Sequence, residues 1–288
     1  MKLSIVTINY NNAEGLCKTL ASVASQTCRN IEHVIVDAAS TDCSLDIIRE
    51  YESLNQSSAN PLTIVWSSEK DGGIYAGMNK GIRRATGDYI QILNSGDILA
   101  ARDVTEKMVS ALDTLNTKRS LQNEDSIAIL YGNMIKQWPD GKQVVDKGRG
   151  GNLSMLSFYH GTLNHDSAYI RRDLFERFGL YDENLKIVSD WKWYLQAIPL
   201  GGITPVYVDI DVTVFDMTGV SESNTAFWKV ERRPVLEELV PPMILADYDK
   251  YGEDMRMMDR LQRHHLHGFV RFIERVLFKL EKWHILRG

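Results

Sequence analysis

At 288 residues with 44% hydrophobic content, the chain is long enough to bury a substantial core and only modestly exceeds one ordinary domain, which points to a main domain with an appendage. A net charge of -5 gives no basic field for a polynucleotide, so nucleic acid is excluded as the expected partner. Cys17, Cys28 and Cys43 form an odd set with no metal-type C-x-x-C pair, which implies a reducing compartment and no disulfide framework, and no apolar run reaches the roughly 18 residues of a membrane span.

The N-terminal apolar run, Leu3 to Ile8, is too short for a signal peptide, and a cytoplasmic protein is expected. The runs "LSIVTI" (3–8), "EHVIVDA" (32–38), "LTIVW" (62–66) and "DYIQIL" (88–93) are short, rich in β-branched residues and suited to buried parallel strands. Between them, Leu16, Leu20, Val23 and Ala24 form one helical stripe, and Leu45, Ile48 and Tyr51 form another behind candidate caps Ser40, Thr41 and Asp42. The order β-α-β-α-β-α-β demands right-handed crossovers and places ligands beyond the carboxyl ends of the strands.

Asp103 and Glu106 offer a capping box for a helix to about Asn116, followed by a polar loop, Thr117 to Ser126. The stretch from Ile127 to Asp146 reads as strands around a Pro139-Asp140-Gly141 turn. Helices are expected at 173–178 and 191–198, strands at 204–208 and 212–215, and helix throughout from Phe227. Gly73, Gly77 and Gly81 recur every four residues, so one helix face should meet something closely, either the sheet or a ligand.

Each early strand hands over to polar residues at the expected crevice: Asn9, Tyr10 and Asn11; Asp37, Ser40 and Asp42; Glu69 and Asp71; Asn94 to Asp97. The G-x-G-x-x-G of a dehydrogenase and the P-loop are both absent. The row of carboxylates and hydroxyls suits a ribose, a base edge and a metal-bound diphosphate, although each Asp alone could equally serve a cap or a turn.

Taken together, "SIVTINYNN", "VIVDAASTDCS", "SEKDGGIYAGMNKGIRRATGDYIQILNSGD", "NHDSAYIRRDLFERFGLYDENL" and "SDWKWYLQAI" resemble the family 2 glycosyltransferases. The resemblance covers roughly 1–223 and implies the GT-A fold, a Rossmann-like, mostly parallel sheet flanked by helices, with 224–288 as a helical C-terminal extension. It further implies an inverting, metal-dependent enzyme that moves a sugar from a nucleotide diphosphate sugar, UDP foremost, to a glycan or glycolipid hydroxyl in surface polysaccharide synthesis. By that resemblance the donor meets Thr7, Asn9, Tyr10, Asp37, Asp71, Asn79, Lys80, Asn94 and Ser95. Asp97 carries the ligation of Mg²⁺ or Mn²⁺, and Asp190 is the base. Asn94 stands where many relatives place an acid, so a single carboxylate remains and the metal should arrive with the donor's diphosphate.

Asp190 could alternatively be the N-cap of its helix. His165 and Trp191 are candidates for acceptor or supporting contacts; Trp191 and Trp193 lie two apart on one helix, so at most one of them should face an acceptor sugar and the other should be core. The segment "DMTGVSES" (216–223) has the composition of a loop that closes over a donor. In the C-terminal helix, Phe269, Phe272, Ile273, Val276, Leu280 and Trp283 form an apolar stripe beside Arg271, Arg275, Lys279 and Lys282. That pattern suits protein packing, a homodimer, or peripheral contact with the inner face of a membrane. His264, His265 and His267 have no recognised metal spacing and are expected at the surface. The other classes left open are a sugar-phosphate nucleotidyltransferase, for which "NYNNAEGLCK" is a poor phosphate loop, and a catalytically silent nucleotide-sugar-binding protein.

Overall fold

The computed structural model describes residues 1–148, 153–217, 225–263 and 267–282. The chain forms two compact units, 1–235 and 236–288. The first alternates β1 (Leu3–Asn9), α1 (Ala13–Ala24), β2 (Ile31–Asp37), α2 (Ser44–Gln56), β3 (Thr63–Ser68), α3 (Ile74–Arg84) and β4 (Tyr89–Ile92). There follow β5 (Ile98–Leu99), α4 (Val104–Leu121), β6 (Ile129–Gln137), β7 (Gln143–Asp146), α5 (Met155–His160), β8 (Ala168–Arg171), α6 (Asp173–Phe178), α7 (Ser189–Leu195) and β9 (Val206–Asp216).

The strands form one sheet in the order β3-β2-β1-β4-β8-β6-β9-β5, with β7 hairpinned onto β6. Pairing is parallel from β3 to β4 and between β6 and β9, and antiparallel where β8 separates β4 from β6. Because β8 runs against its neighbours, its entry lies on the same edge as their exits. The sheet edge that parallel α/β folds reserve for ligands therefore gathers side chains from strands that end there and from the segment leading into β8.

The central strands are apolar on both faces because helices cover both, and β2 is buried along its whole length. The glycines of α3 serve this packing. A Cβ on Gly81 would collide with the Val6 side chain, and one on Gly77 would lie 3.3 Å from Ile8, so the helix rides directly on β1. Gly73 is not inside the helix: it is the N-cap, at φ +126°, a conformation that favours glycine.

Several boundaries differ from expectation. Helix α4 runs on through Thr117 to Leu121, because Lys118 and Arg119 are good helix formers that also suit the negative end of the helix. No capping box forms at its start: Asp103 pairs with Lys107 and Glu106 accepts from Thr27. The N-cap of α2 is Cys43; Ser40 turns back to Asp37, and only Asp42 reaches the helix, accepting from Ser44 N–H. The two strands expected near residues 204–215 are one long strand, β9, bent by a register shift opposite Gly132 and Asn133. The helix expected at 191–198 is α7 followed by a π-helical turn, Gln196–Leu200, containing Pro199. The cysteines are free.

The boundary between the units falls within α8 (Thr225–Leu239), which is followed by α9 (Pro242–Arg263) and α10 (His267–Lys282). On α10, Phe272, Ile273, Val276 and Leu277 are exposed, and so is Phe278 on the opposite side. The expectations placed on residues 218–223, His264, His265 and Trp283, and on the side chains of His267, Phe269 and Leu280, lie outside what is described. No helix among the described residues is long and apolar enough to cross a membrane.

Candidate active site

A cleft of about 1200 Å³ opens along the ligand edge of the sheet. Its floor is laid by strand ends: Ile8, Asn9 and Tyr10 after β1, Ala38 and Ala39 after β2, Asn94 to Asp97 after β4, and Phe215 and Asp216 at the end of β9. One wall is the start of α3 with Lys70 and Asp71 before it. The other carries the segment Thr162 to Asp166, then Lys186, Ile187, Asp190 and Trp191, with Trp228 of α8.

The turn Asn94-Ser95-Gly96-Asp97 is pinned from below by Thr19 of α1. Its hydroxyl donates to Asp97 C=O at 2.7 Å and accepts from Gly96 N–H. Gly96 takes φ +111°, which frees the turn to present Asp97 inward. The Asp97 carboxylate accepts the Asp216 N–H at 3.0 Å. Burial pushes its carboxyl upward in pKa, and the nearby charge of Asp166 pushes it the same way. Asp166 is itself buried and accepts from Thr213, and burial raises its carboxyl too. Asp97 and Asp166 thus raise the cost of each other's charge, with His165 as the nearby positive group, and a hard cation beside Asp97 would relieve that cost further. Among the described residues no three Asp, Glu, His or Cys side chains converge as a metal site. The donor set suits a hard divalent cation held partly by Asp97 and partly by oxygens the chain does not supply.

Asp190 sits in the first turn of α7 but does not cap it; the N-cap is Val188, without a side-chain bond. Its carboxylate instead accepts from His165 Nδ1 at 3.1 Å and from the Tyr75 hydroxyl at 2.9 Å, whose single proton it shares with Ile187 C=O at 2.6 Å. Burial works against the Asp190 anion, but the hydrogen bond and charge of His165, with the Tyr75 hydroxyl, outweigh it and hold the carboxyl below its ordinary pKa. Burial likewise disfavours the His165 imidazolium, yet Asp190 and the neighbouring acids lift its pKa to about 9. A carboxylate can only accept, so His165 Nδ1 carries the proton. Its Nε2 faces the Asn94 amide at 3.3 Å, coupling the strand-end turn to the wall that bears Asp190. Tyr75, the remaining member of this cluster, carried no signal in the sequence beyond its place in "DGGIYAGMNKG".

Of the residues singled out from the sequence, Asn9, Tyr10, Asp71, Asn94, Ser95, Asp97, His165, Asp190 and Trp191 line this cleft. Trp193 is core, donating its indole N–H to Gly179 C=O. Four of the residues expected to meet the donor do not line it, and neither do the strand-end residues Asn11, Ser40, Asp42 and Glu69. Thr7 lies two residues below the end of β1, buried and hydrogen-bonded to His33. Asp37 is buried just behind the floor, where its carboxylate already accepts from Asn9, from the hydroxyl and N–H of Ser40, and from Ser68. Those four donors fill the carboxylate's acceptor sites. Asn79 points off the far side of α3 to bond Tyr181 C=O and N–H and the Glu183 carboxylate. Lys80 pairs with Glu69 at 3.5 Å. On a helix, positions 75 and 78 share the cleft face and 79 and 80 turn away from it. Within the cleft, Asn9 Oδ1 and Asn94 Oδ1 are buried acceptors without a donor among the described residues.

Residues 4–176 match the model of the family described as glycosyl transferase family 2. The chain is similar to an uncharacterized glycosyltransferase of Mycobacterium tuberculosis, 29% identical over 246 residues that cover 83% of this chain and 85% of that protein. It is also similar to a PGL/p-HBAD biosynthesis glycosyltransferase of Mycobacterium bovis, 26% identical over 223 residues, 77% of this chain and 79% of the relative. Among solved structures, S. aureus TarS 1-349 in complex with UDP-GlcNAc superposes with a TM-score of 0.61 at 21% identity, over 81% of this chain and 65% of that one. The mannosyltransferase PcManGT of Pyrobaculum calidifontis, in complex with GDP-Man and Mn2+, superposes with a TM-score of 0.58 at 18% identity, over 80% of this chain and 60% of that one. The chain thus spans somewhat under two thirds of each solved protein, and at such identities the likeness establishes the GT-A fold. With the family model matched across most of the sheet and its crevice, the chain belongs to glycosyl transferase family 2 and is a glycosyltransferase.

Proposed function

We propose that the cleft performs an inverting transfer from a nucleoside diphosphate sugar, a UDP-sugar foremost, to a hydroxyl of a glycan or glycolipid. The observation that carries this reading is Asp190. It is a buried acid kept ionised by two donors, set in the wall that the Asn94–His165 contact joins to the strand-end turn. The floor suits the donor, because Asn9 Oδ1 is an acceptor without a donor among the described residues. Asp97, with Asp216 beside it, would hold a divalent cation brought with the diphosphate. When bound, such a cation offsets the charge that grows on the departing diphosphate.

The acceptor oxygen attacks the anomeric carbon from the face opposite the diphosphate. The carbon–oxygen bond to the diphosphate breaks as the new one forms, and configuration inverts. The hydroxyl proton passes to Asp190, whose oxygens each keep a lone pair beyond the bonds to Tyr75 and His165. His165 and Tyr75 fix the carboxylate's direction.

Asp190→Asn tests the reading. Because Asp190 caps nothing, Asn removes charge and basicity with little structural cost. Turnover of UDP-GlcNAc and a set of other nucleotide sugars, followed as UDP or GDP release with Mn²⁺ and glycan acceptors, should fall by about 10² to 10⁴. UDP binding should stay as in the wild type. Near-normal turnover would remove Asp190 from the mechanism.

A further inference from the structure

Arg232 of α8 is 3% exposed, with its guanidinium carbon over the rings of both Trp191 and Trp228, 4.0 Å from each ring centre. Its Nη2 donates to the carbonyls of Phe158 and Gly161, and Phe158 C=O also accepts the Trp191 indole N–H at 2.7 Å. Nε and Nη1 are buried without a partner among the described residues. A charged group with two donor atoms unpaired among the described residues is a costly way to fill a core slot that a methionine would fill without penalty. What the arrangement achieves is orientation: the two indoles and the guanidinium form a three-layer stack tied to the α5 carbonyls, which locks the Trp228 ring.

Trp191 follows Asp190 on α7, so the stack stands on the base's side of the cleft, across from the strand ends that suit the nucleotide. The cleft that Trp228 lines also carries Lys136, Thr162, Asn164 and Lys186, among apolar side chains such as Met134, Leu163 and Phe215. One aromatic ring among hydrogen-bonding groups suits a pyranose, which has an apolar C–H face and a polar rim, better than a hydrocarbon chain.

We propose that Trp228, locked by Arg232 against Trp191, is the platform on which the acceptor sugar stacks. This rests on the transferase reading above. Arg232 is then a positioning residue, acting through the ring and not on the sugar.

The experiment titrates octyl glycosides, in α- and β-gluco, galacto and manno forms, into full-length protein saturated with UDP and Mn²⁺, by calorimetry and saturation-transfer NMR. The wild type should bind at least one, with ring C–H protons showing the strongest transfer. Trp228→Ala should weaken that glycoside about tenfold, Trp228→Phe less, and Arg232→Met to a degree near Trp228→Ala, all with unchanged UDP affinity. Retained UDP affinity also shows that each variant is folded. Glycoside affinity unchanged in Trp228→Ala, or no glycoside bound by a wild type that does bind UDP, would overturn the platform. Failure of the wild type to bind UDP at all would instead overturn the donor reading.

Discussion

His165 Nδ1 lies 3.1 Å from Asp190 Oδ2, and the two form an ion pair in the wall of the cleft with both side chains mostly buried. Each raises the cost of neutralising the other, so the acid stays ionised and the imidazole stays protonated at neutral pH. A protonated His165 donates from Nε2 as well, and the Asn94 amide then turns its oxygen, otherwise without a partner, toward that proton.

His165→Gln follows directly. Gln can still hydrogen-bond Asp190 but brings no charge, so the Asp190 carboxyl should rise in pKa. The acid limb of the turnover profile should move to higher pH, and turnover at neutral pH should fall by about 10- to 100-fold, with UDP affinity retained. Turnover measured from pH 4 to 9 in both proteins checks this; an unmoved acid limb would detach His165 from Asp190's ionisation.

A second histidine gives an opposite pH signature. His33 is buried on β2 between the Thr7 and Tyr51 hydroxyls, and burial depresses its pKa to about 3. Folded protein therefore refuses a proton that the unfolded chain accepts below about pH 6.5. Stability is unaffected above that pH and is lost as pH falls toward 3, by roughly 2 kcal/mol between pH 6.5 and 5 from this residue alone. His165 has the reverse sign, because its folded pKa is raised: its contribution is complete below about pH 6.5 and fades as pH climbs through 9. Urea unfolding across pH 5 to 9 should give a maximum near neutrality, and His165→Gln should flatten the alkaline side.

Asn79 was expected at the donor, but its amide makes three bonds, to Tyr181 C=O, Tyr181 N–H and Glu183, clamping the 179–187 segment to α3. Asn79→Ala should therefore act on stability. It leaves buried backbone groups of Tyr181 unpaired and should cost about 2 to 4 kcal/mol in urea unfolding. UDP affinity should change little. A loss of UDP binding without a loss of stability would return Asn79 to the donor site.

What could be read from the residues and what could not divide along one physical line. The strands β1, β2 and β4 announce themselves because apolar runs covered on both faces leave a continuous signal, whereas β3, at the sheet edge with Thr63 and Val65 exposed, is marked by its β-branched run alone; the polar residues at the strand ends follow from topology. The direction of a side chain on α3 depends on the helix's rotation about its axis, which Gly77 and Gly81 set by packing on Ile8 and Val6. A shift of one position carries Asn79 and Lys80 out of the cleft and brings Tyr75 and Met78 in. Likewise Asp37 ends its strand where expected, yet four donors from its own neighbours consume its oxygens. The Trp191–Arg232–Trp228 stack joins residues about 40 positions apart in helices of unremarkable composition, and nothing local marks it.

The turn at Asp97 supports a prediction in which stability and function part company. Burial and the charge of Asp166 raise the cost of ionising Asp97, with Asp216 adding to it, so the carboxylate works against the fold when no cation is near. Asn is nearly the same shape, and its side-chain oxygen can still accept the Asp216 N–H that Asp97 Oδ1 now holds. Asp97→Asn should therefore raise the metal-free melting temperature by a few degrees. It should also abolish the part of UDP affinity that depends on Mn²⁺ while leaving the metal-independent part. Thermal melts with and without EDTA, paired with UDP titrations with and without Mn²⁺, read both effects on the same samples. A destabilised variant that keeps its Mn²⁺-dependent UDP binding would show that Asp97 serves the turn and not the cation.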